Sequence, residues 1–358
     1  MDESRRIAII ASSRHPIAQP FAGGLEAHVW HLTRALAAAG HRVTLFAGHG
    51  SDVEADAEIF EAELFEPSAL ARADVSMPPL AELQDHHAYL SLMTALAEHP
   101  HRFDVIHNHS LHHLPIAMTP TLRTPMVTTL HTPPTPWLES ALTIAPDAHC
   151  VAVSEHTARS WGHVLGRIPV VHNGVRLDRW PLGSGGGDLV WFGRLVPEKG
   201  AHLAIEAARV AGRPLTLAGP ISDIHYFDNA IAPQLDDRTR YVGHLDQTAL
   251  ARLVGSSAAT LTTPVWDEPY GLVVAESLSC GTPVVAFDRG GIAEIVGDAG
   301  VLVERDDVHA MARGIRVAER IDRRAVRAHA RQRCSLEAMV AQYLALYTDL
   351  VERREPAA

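Results

Sequence analysis

Short apolar runs alternate from one end of the chain to the other with longer segments whose apolar residues recur at helical spacing. That alternation predicts parallel α/β structure. In the first half, strands are expected at RIAIIA (6–11), RVTLFA (42–47), DVIHNH (104–109), MVTTLH (126–131), HCVAVS (149–154) and PVVHNG (169–174). The clearest helix between them is the amphipathic stretch from Leu25 to Ala39, closed by Gly40. Strands this short, without polar alternation, are expected to be buried on both faces.

The segment PLGSGGGD (181–188) is a run of turn formers and reads as an interdomain linker. It lacks the Lys-Ser/Thr that a phosphate loop would need. The strand pattern then restarts at LVWFG (189–193), PLTLAG (214–219), TRYVG (239–243), ATLTTP (259–264), PVVAFD (283–288) and GVLV (300–303). From Ser335 to Arg353, Met339, Tyr343, Leu346, Tyr347 and Leu350 fall at helical spacing. The expected organisation is therefore residues 1–175 as one doubly wound domain and 176–335 as a second. Residues 336–358 form a final helix that packs back toward the first. Sheets of this kind bind ligands at the carboxyl ends of their strands, and two such domains facing each other make a cleft. No GxGxxG follows the first strand, which disfavours a nicotinamide or flavin site.

Composition narrows the class. A chain of 358 residues, 47% hydrophobic and 20% charged, is ordinary globular protein with enough apolar mass for two cores. Its net charge of −11 argues against a general nucleic-acid binder. Residues 1–172 hold 18 acids against 10 arginines, and seven acids fall between Asp52 and Glu66 without a base. Such a first half does not suit docking on anionic lipid, and membrane association is not expected. The N-terminal apolar run is too short for a signal peptide, and no stretch reaches 18 apolar residues. Cys150, Cys280 and Cys334 lie far apart, as suits reduced thiols in a cytoplasmic protein. Of the 31 basic residues, 30 are Arg and the remaining one is Lys199.

Two segments carry candidate chemistry. In GRLVPEKG (193–200), Arg194 and Lys199 lie just past a strand, with a helix N-terminus directly behind them. A planar fork, a point charge and free amides together suit a diphosphate, although a solvated loop that happens to hold charges reads equally well. In WDEPYGLVVAESLSCGTPVVAF (266–287), Glu268 precedes a helix expected to begin near Tyr270-Gly271. The amides of Gly271, Leu272 and Val273 are then free for phosphate oxygens. Glu276 follows eight residues after Glu268, roughly 12 Å along a helix, too far for the two to act on one bond as a hydrolase pair does. His107, His109, His112 and His113 suggest metal, but no carboxylate or Cys stands at ligand spacing. The expectation is that no metal or other cofactor is bound.

The Glu268-(seven residues)-Glu276 pair, the CGTPVVA strand, DRGGIAEIV (288–296) and GRLVPEKG together resemble the family 4 nucleotide-sugar glycosyltransferases of GT-B fold. Gly23-Gly24-Leu25-Glu26, GHRVTLF, DVIHNH, His131 at a strand end, VSEHT and HNGV follow in that family's order, so the likeness spans about residues 5–350. The resemblance implies a GT-B architecture of two Rossmann-like domains facing across a cleft, the first binding the acceptor and the second the donor. It implies a metal-independent transferase that retains anomeric configuration. Glu276 would bind the ribose hydroxyls, Glu268 the transferred sugar, and Arg194 and Lys199 the diphosphate. Gly23 and Gly24 would approach the diphosphate, and His131 would face the sugar. The donor-binding set is completed by Tyr270, Gly271, Leu272 and Val273. UDP-glucose is the expected donor, with GDP-mannose and UDP-N-acetylglucosamine as alternatives. The expected acceptor is a soluble small molecule or glycan. An epimerase of the same fold or a non-catalytic nucleotide-sugar binder would not need both charged motifs.

Overall fold

A computed structural model describes residues 4–353 and divides the chain into two compact units. Among the described residues, the first comprises those of Met1–Val153, Thr157–Val171 and Val340–Ala358; the second comprises Ser154–His156 and His172–Met339.

The first unit is built on six parallel strands: β1 (Arg6–Ile10), β2 (Arg42–Ala47), β3 (Ala57–Glu61), β4 (Val105–Asn108), β5 (Met126–Leu130) and β6 (His149–Ala152). Their spatial order is β3-β2-β1-β4-β5-β6, the doubly wound arrangement with its switch point between β1 and β4. Every residue of β4 and β5 is buried, as expected of strands covered on both faces. Ile10, Tyr89, Met93, Phe103 and Ile106 form one packed cluster, and Leu130, Leu138, Leu142 and Trp161 form another. The edge strand β3 lies in the acidic stretch, and its mostly exposed, charge-bearing sequence AEIFE forms no apolar run. The expected strand at 169–174 is not formed. Its run pairs at one bridge, Ala152 with Val170, and the chain leaves the first unit after Val171.

The second unit repeats the plan with β7 (Leu189–Phe192), β8 (Leu215–Ala218), β9 (Thr239–Tyr241), β10 (Ala259–Thr262), β11 (Val284–Phe287) and β12 (Gly300–Val303). All are parallel, in the order β12-β11-β10-β7-β8-β9, with the switch point between β7 and β10. Its core gathers Trp191, Ile205, Leu217, Phe287 and Ile315. Local signals fix the surrounding helices. Asp246 caps Gln247–Gly255 by accepting from the Ala249 amide, and Asp307 caps Val308–Ala318 through Ala310. Gly212, at φ +69°, closes Ala201–Ala211.

The glycine run 183–187 is not an interdomain linker. It lies inside the second unit, laid against the end of the helix Gln247–Gly255. A Cβ on Gly183 would stand 2.0 Å from the Gly255 carbonyl oxygen, and one on Gly186 2.2 Å from that of Ser256. The glycines permit backbone-to-backbone contact rather than flexibility. Arg323 secures the place, donating to the carbonyls of Gly183, Gly255, Ser257 and Cys280 and to the Thr282 hydroxyl.

The final helix, Leu336–Glu352, begins with the second unit and continues with the first from Val340 onward. In the first unit Tyr343 and Tyr347 are fully buried. The Tyr347 hydroxyl lies 2.6 Å from His107 Nδ1.

Candidate functional site

In the second unit the loops after β7 and β10 flank the switch point, where doubly wound sheets hold ligands. The first carries Arg194 and Lys199. Residues Pro197–Lys199 form one tight turn, and Gly200 at φ +66° turns the chain into the helix Ala201–Ala211. Gly200 is obligatory on two counts, since a Cβ there would also meet the Thr263 carbonyl oxygen at 2.0 Å. The two loops are joined by the Val265 amide donating to the Glu198 carbonyl and the Thr263 hydroxyl donating to that of Gly200. Their side chains meet as well. Lys199 Nζ lies 2.6 Å from Glu268 Oε2, and the same oxygen accepts from the Trp266 indole N–H at 2.9 Å. The ammonium also stands 5.1 Å from the Trp266 ring centroid, within cation–π range. Arg194 is more exposed and pairs with Glu198 at 3.6 Å.

Beneath Glu268 lies the glycine pair of the DRGG segment. Gly290 has φ +66°, and a Cβ there would fall 2.0 Å from the Glu268 carbonyl oxygen; the Gly291 amide donates to that oxygen at 2.7 Å. The backbone of Glu268 is thus fixed from below by the glycine pair, and its carboxylate from the side by Lys199 and Trp266. Neither Trp266 nor the glycine pair is among the residues expected to form the site. A Trp two residues before the Glu, and Gly-Gly immediately beyond a strand end, are the signals that mark them.

Gly271, at φ +99°, opens the helix Leu272–Ser279. The first-turn amides of Leu272 and Val273 have no intrahelical acceptor and form a natural anion seat. Tyr270 is a different matter. It is buried, and its hydroxyl donates to the Asn173 carbonyl at 2.6 Å, so the phenol serves the core and only its backbone is left for a ligand. Glu276, one turn into the helix, is half-buried, and its carboxylate has no hydrogen bond or ion pair among the described residues. Desolvation pushes its pKa up to about 8.

Glu294 also shapes the second unit. Its carboxylate accepts from the amides of Glu155 and His156 and meets His172 Nε2 at 3.2 Å; these donors hold its pKa below the usual range despite partial burial. This explains why Ser154–His156 count with the second unit.

In the first unit the helix Gly24–Ala38 starts at Gly23, whose backbone is extended. The nearest atom to a Cβ built on Gly23 is Glu26 Oε2, at 3.1 Å, so a carboxylate already borders this glycine pair. His131 follows β5, is half-buried, and places Nε2 3.0 Å from His109 Nδ1. The histidines of DVIHNHSLHH separate into two groups. His107 and His109 share one face of β4 with ring centroids 3.8 Å apart, while His112 and His113 stack on each other near His86. Both nitrogens of His107 are taken, by the Tyr347 and Thr129 hydroxyls. Burial keeps His28, His107, His109 and His131 neutral, with His28 down at about 3.

Residues 22–179 match the family model described as Glycosyltransferase Family 4, and residues 179–333 match the model Glycosyl transferases group 1. The chain is 30% identical to the D-inositol 3-phosphate glycosyltransferase of Frankia alni, over 90% of this chain and 92% of that protein. The chain belongs to glycosyltransferase family 4.

The transferase is also 29% identical to the glycogen synthase of Mycobacterium tuberculosis, over 82% of each. Among solved structures it resembles sucrose-phosphate synthase from Thermosynechococcus elongatus, with a TM-score of 0.79 and 21% identity, covering 98% of this chain and 100% of that one. It likewise resembles HepE of Anabaena, solved in complex with UDP-glucose, at TM-score 0.74 and 18% identity, with 97% and 100% covered. Two six-stranded parallel sheets of identical winding, together with these neighbours, make the fold GT-B. Among the described residues no helix of the transferase is long and apolar enough to cross a membrane.

Proposed function

We propose that this transferase moves a hexose from a nucleotide-sugar, UDP-glucose for preference, to a soluble acceptor, with retention at the anomeric carbon and without a metal requirement. The observation that carries the reading is the junction of the two switch-point loops, where Lys199 and Glu268 are held together beside the open first turn at Gly271. The diphosphate takes the Leu272 and Val273 amides together with Lys199 and Arg194. These supply the positive field that a divalent ion supplies in other transferases. Glu268 orients the transferred sugar. Glu276, without a partner among the described residues, accepts from the ribose hydroxyls. The first unit supplies Gly23 and Gly24 toward the diphosphate and His131 toward the sugar, and binds the acceptor.

In the reaction the bond between the anomeric carbon and the phosphate oxygen breaks, and the acceptor oxygen bonds to that carbon from the same face. The acceptor's proton passes to the departing phosphate oxygen, giving a nucleoside diphosphate. The chain's contribution is orientation, charge stabilisation and exclusion of water. HepE, of the same fold, was solved with UDP-glucose, which is consistent with that donor here.

Calorimetric titration with UDP-glucose, GDP-mannose and UDP-N-acetylglucosamine, each in the presence of chelator, tests the proposal. Selective binding of UDP-glucose supports it, and selective binding of another donor corrects the sugar or base. Binding that needs added metal refutes the metal-free diphosphate seat.

A further inference from the structure

We propose that His28, His109 and His131 form a binding site for a single transition-metal ion of the zinc class, with one coordination position open. Each residue offers one ring nitrogen, and these nitrogens lie within 4.8 Å of one another. The ring centroids form a nearly equilateral triangle: 5.0 Å between His28 and His109, 5.1 Å between His28 and His131, and 5.2 Å between His109 and His131. A tetrahedral ion with metal–nitrogen bonds of about 2.0–2.1 Å places its imidazole centroids roughly 5 Å apart. The separation of 3.0 Å from His109 Nδ1 to His131 Nε2 is close to the edge of such a tetrahedron.

Hydrogen bonding makes the same case. His28 is 2% exposed and His109 is fully buried, yet both ring nitrogens of His28 and Nε2 of His109 have no partner among the described residues. Buried polar atoms left in this way each cost about 1–3 kcal/mol, and native proteins keep few of them. Ring stacking and the His109–His131 contact would explain the proximity but would leave both nitrogens of His28 bare; an ion would take one of them. His107, although in ring contact with His109, is excluded as a ligand because both of its nitrogens are occupied.

Three imidazoles without a carboxylate select zinc, cobalt, nickel or copper over magnesium or calcium. The ligands stand on three rigid elements: mid-helix in Gly24–Ala38, the end of β4 and the end of β5. His131 is the least buried of the three, so the open position lies on its side. The ion is not needed for transfer. Resting on the assignment of His131 to the sugar, its binding withdraws that ring and inhibits the enzyme.

The test is titration of the chelator-treated full chain with cobalt(II), followed by zinc. The expected result is one equivalent with the intense visible bands of four-coordinate cobalt, bleached by one equivalent of zinc. His28→Phe, which keeps the aromatic bulk, should weaken binding by about 100-fold or more, and His109→Asn should do likewise should the first variant fail to fold. His113→Ala removes a residue of the second histidine group, His86, His112 and His113, and should leave the bands intact. Pale six-coordinate spectra, or bands that vanish with His113→Ala and persist in His28→Phe, overturn the site. If the bands form and follow His28 while stoichiometric zinc leaves transfer untouched, the site stands and the role given to His131 falls.

Discussion

Replacing Glu276 with glutamine separates ribose binding from every other role in the site, because the free carboxylate has no partner to lose among the described residues. Its pKa of about 8 makes the free side chain about nine-tenths protonated at pH 7. Ribose hydroxyls that donate to Glu276 require the ionised form, so donor binding must expel that proton. The expected release approaches about 0.9 proton at pH 7 and about 0.5 at pH 8, and affinity should rise by up to about 50-fold between pH 6 and 8. Calorimetry in two buffers of different ionisation enthalpy reads the proton count directly. Subtracting the Glu276→Gln result removes whatever the histidines contribute. The variant should lose the proton release and, at pH 8, bind roughly 10- to 100-fold more weakly, as befits hydrogen bonds to a charged group worth about 1.5–3 kcal/mol. The same shift fixes the sign of the stability change. A carboxyl whose pKa is raised by folding contributes stability that is full below the ordinary range near 4.5 and is lost as pH climbs through 8. Glu276→Gln should therefore flatten the decline and exceed the wild type in stability at pH 9, by on the order of 2 kcal/mol after allowance for partial solvent access. Equal proton counts and unchanged affinity in both proteins would refute the ribose assignment.

Lys199→Ala should weaken UDP far more than uridine in parallel titrations; an equal loss for both would remove Lys199 from the diphosphate site. Gly290→Ala combines a left-handed backbone with a Cβ 2.0 Å from the Glu268 carbonyl oxygen. Transfer should fall at least about tenfold through displacement of Glu268, with donor affinity changing less, measured as kcat against KM. Tyr347→Phe leaves His107 Nδ1 buried without its partner and should cost about 1–3 kcal/mol in chemical denaturation, with no direct effect on donor affinity.

The two-sheet plan is legible because both-face burial writes itself as apolar runs; eleven of the twelve strands fall within the expected segments, although β9 and β12 are only partly buried. Strand β3 escaped because an edge strand needs only half its residues apolar and guards itself with charge. Residues 183–187 are ambiguous for another reason: glycine marks both freedom and close approach, and only the position of Gly255 decides between them. The charged residues of the site could be named from the sequence, since cations and acids at strand ends are sparse. The meeting of Lys199 with Glu268 could not, being set by the β7–β10 adjacency across 69 residues of chain. His28 went unnoticed as a companion of His109 and His131 because a mid-helix histidine has no local signal.

The split membership of the final helix bears on how the polypeptide is made. A ribosome releases β4 and β5 long before Tyr343 and Tyr347, so the nascent first sheet must wait with His107 and Thr129 uncovered while the whole second sheet is synthesised. The second unit can close from a nearly continuous run of chain, whereas the first closes last, on contacts more than 200 residues apart. Chains that end between Met339 and Tyr343 should therefore present a folded second unit and an open first one, the form that proteases and chaperones would meet.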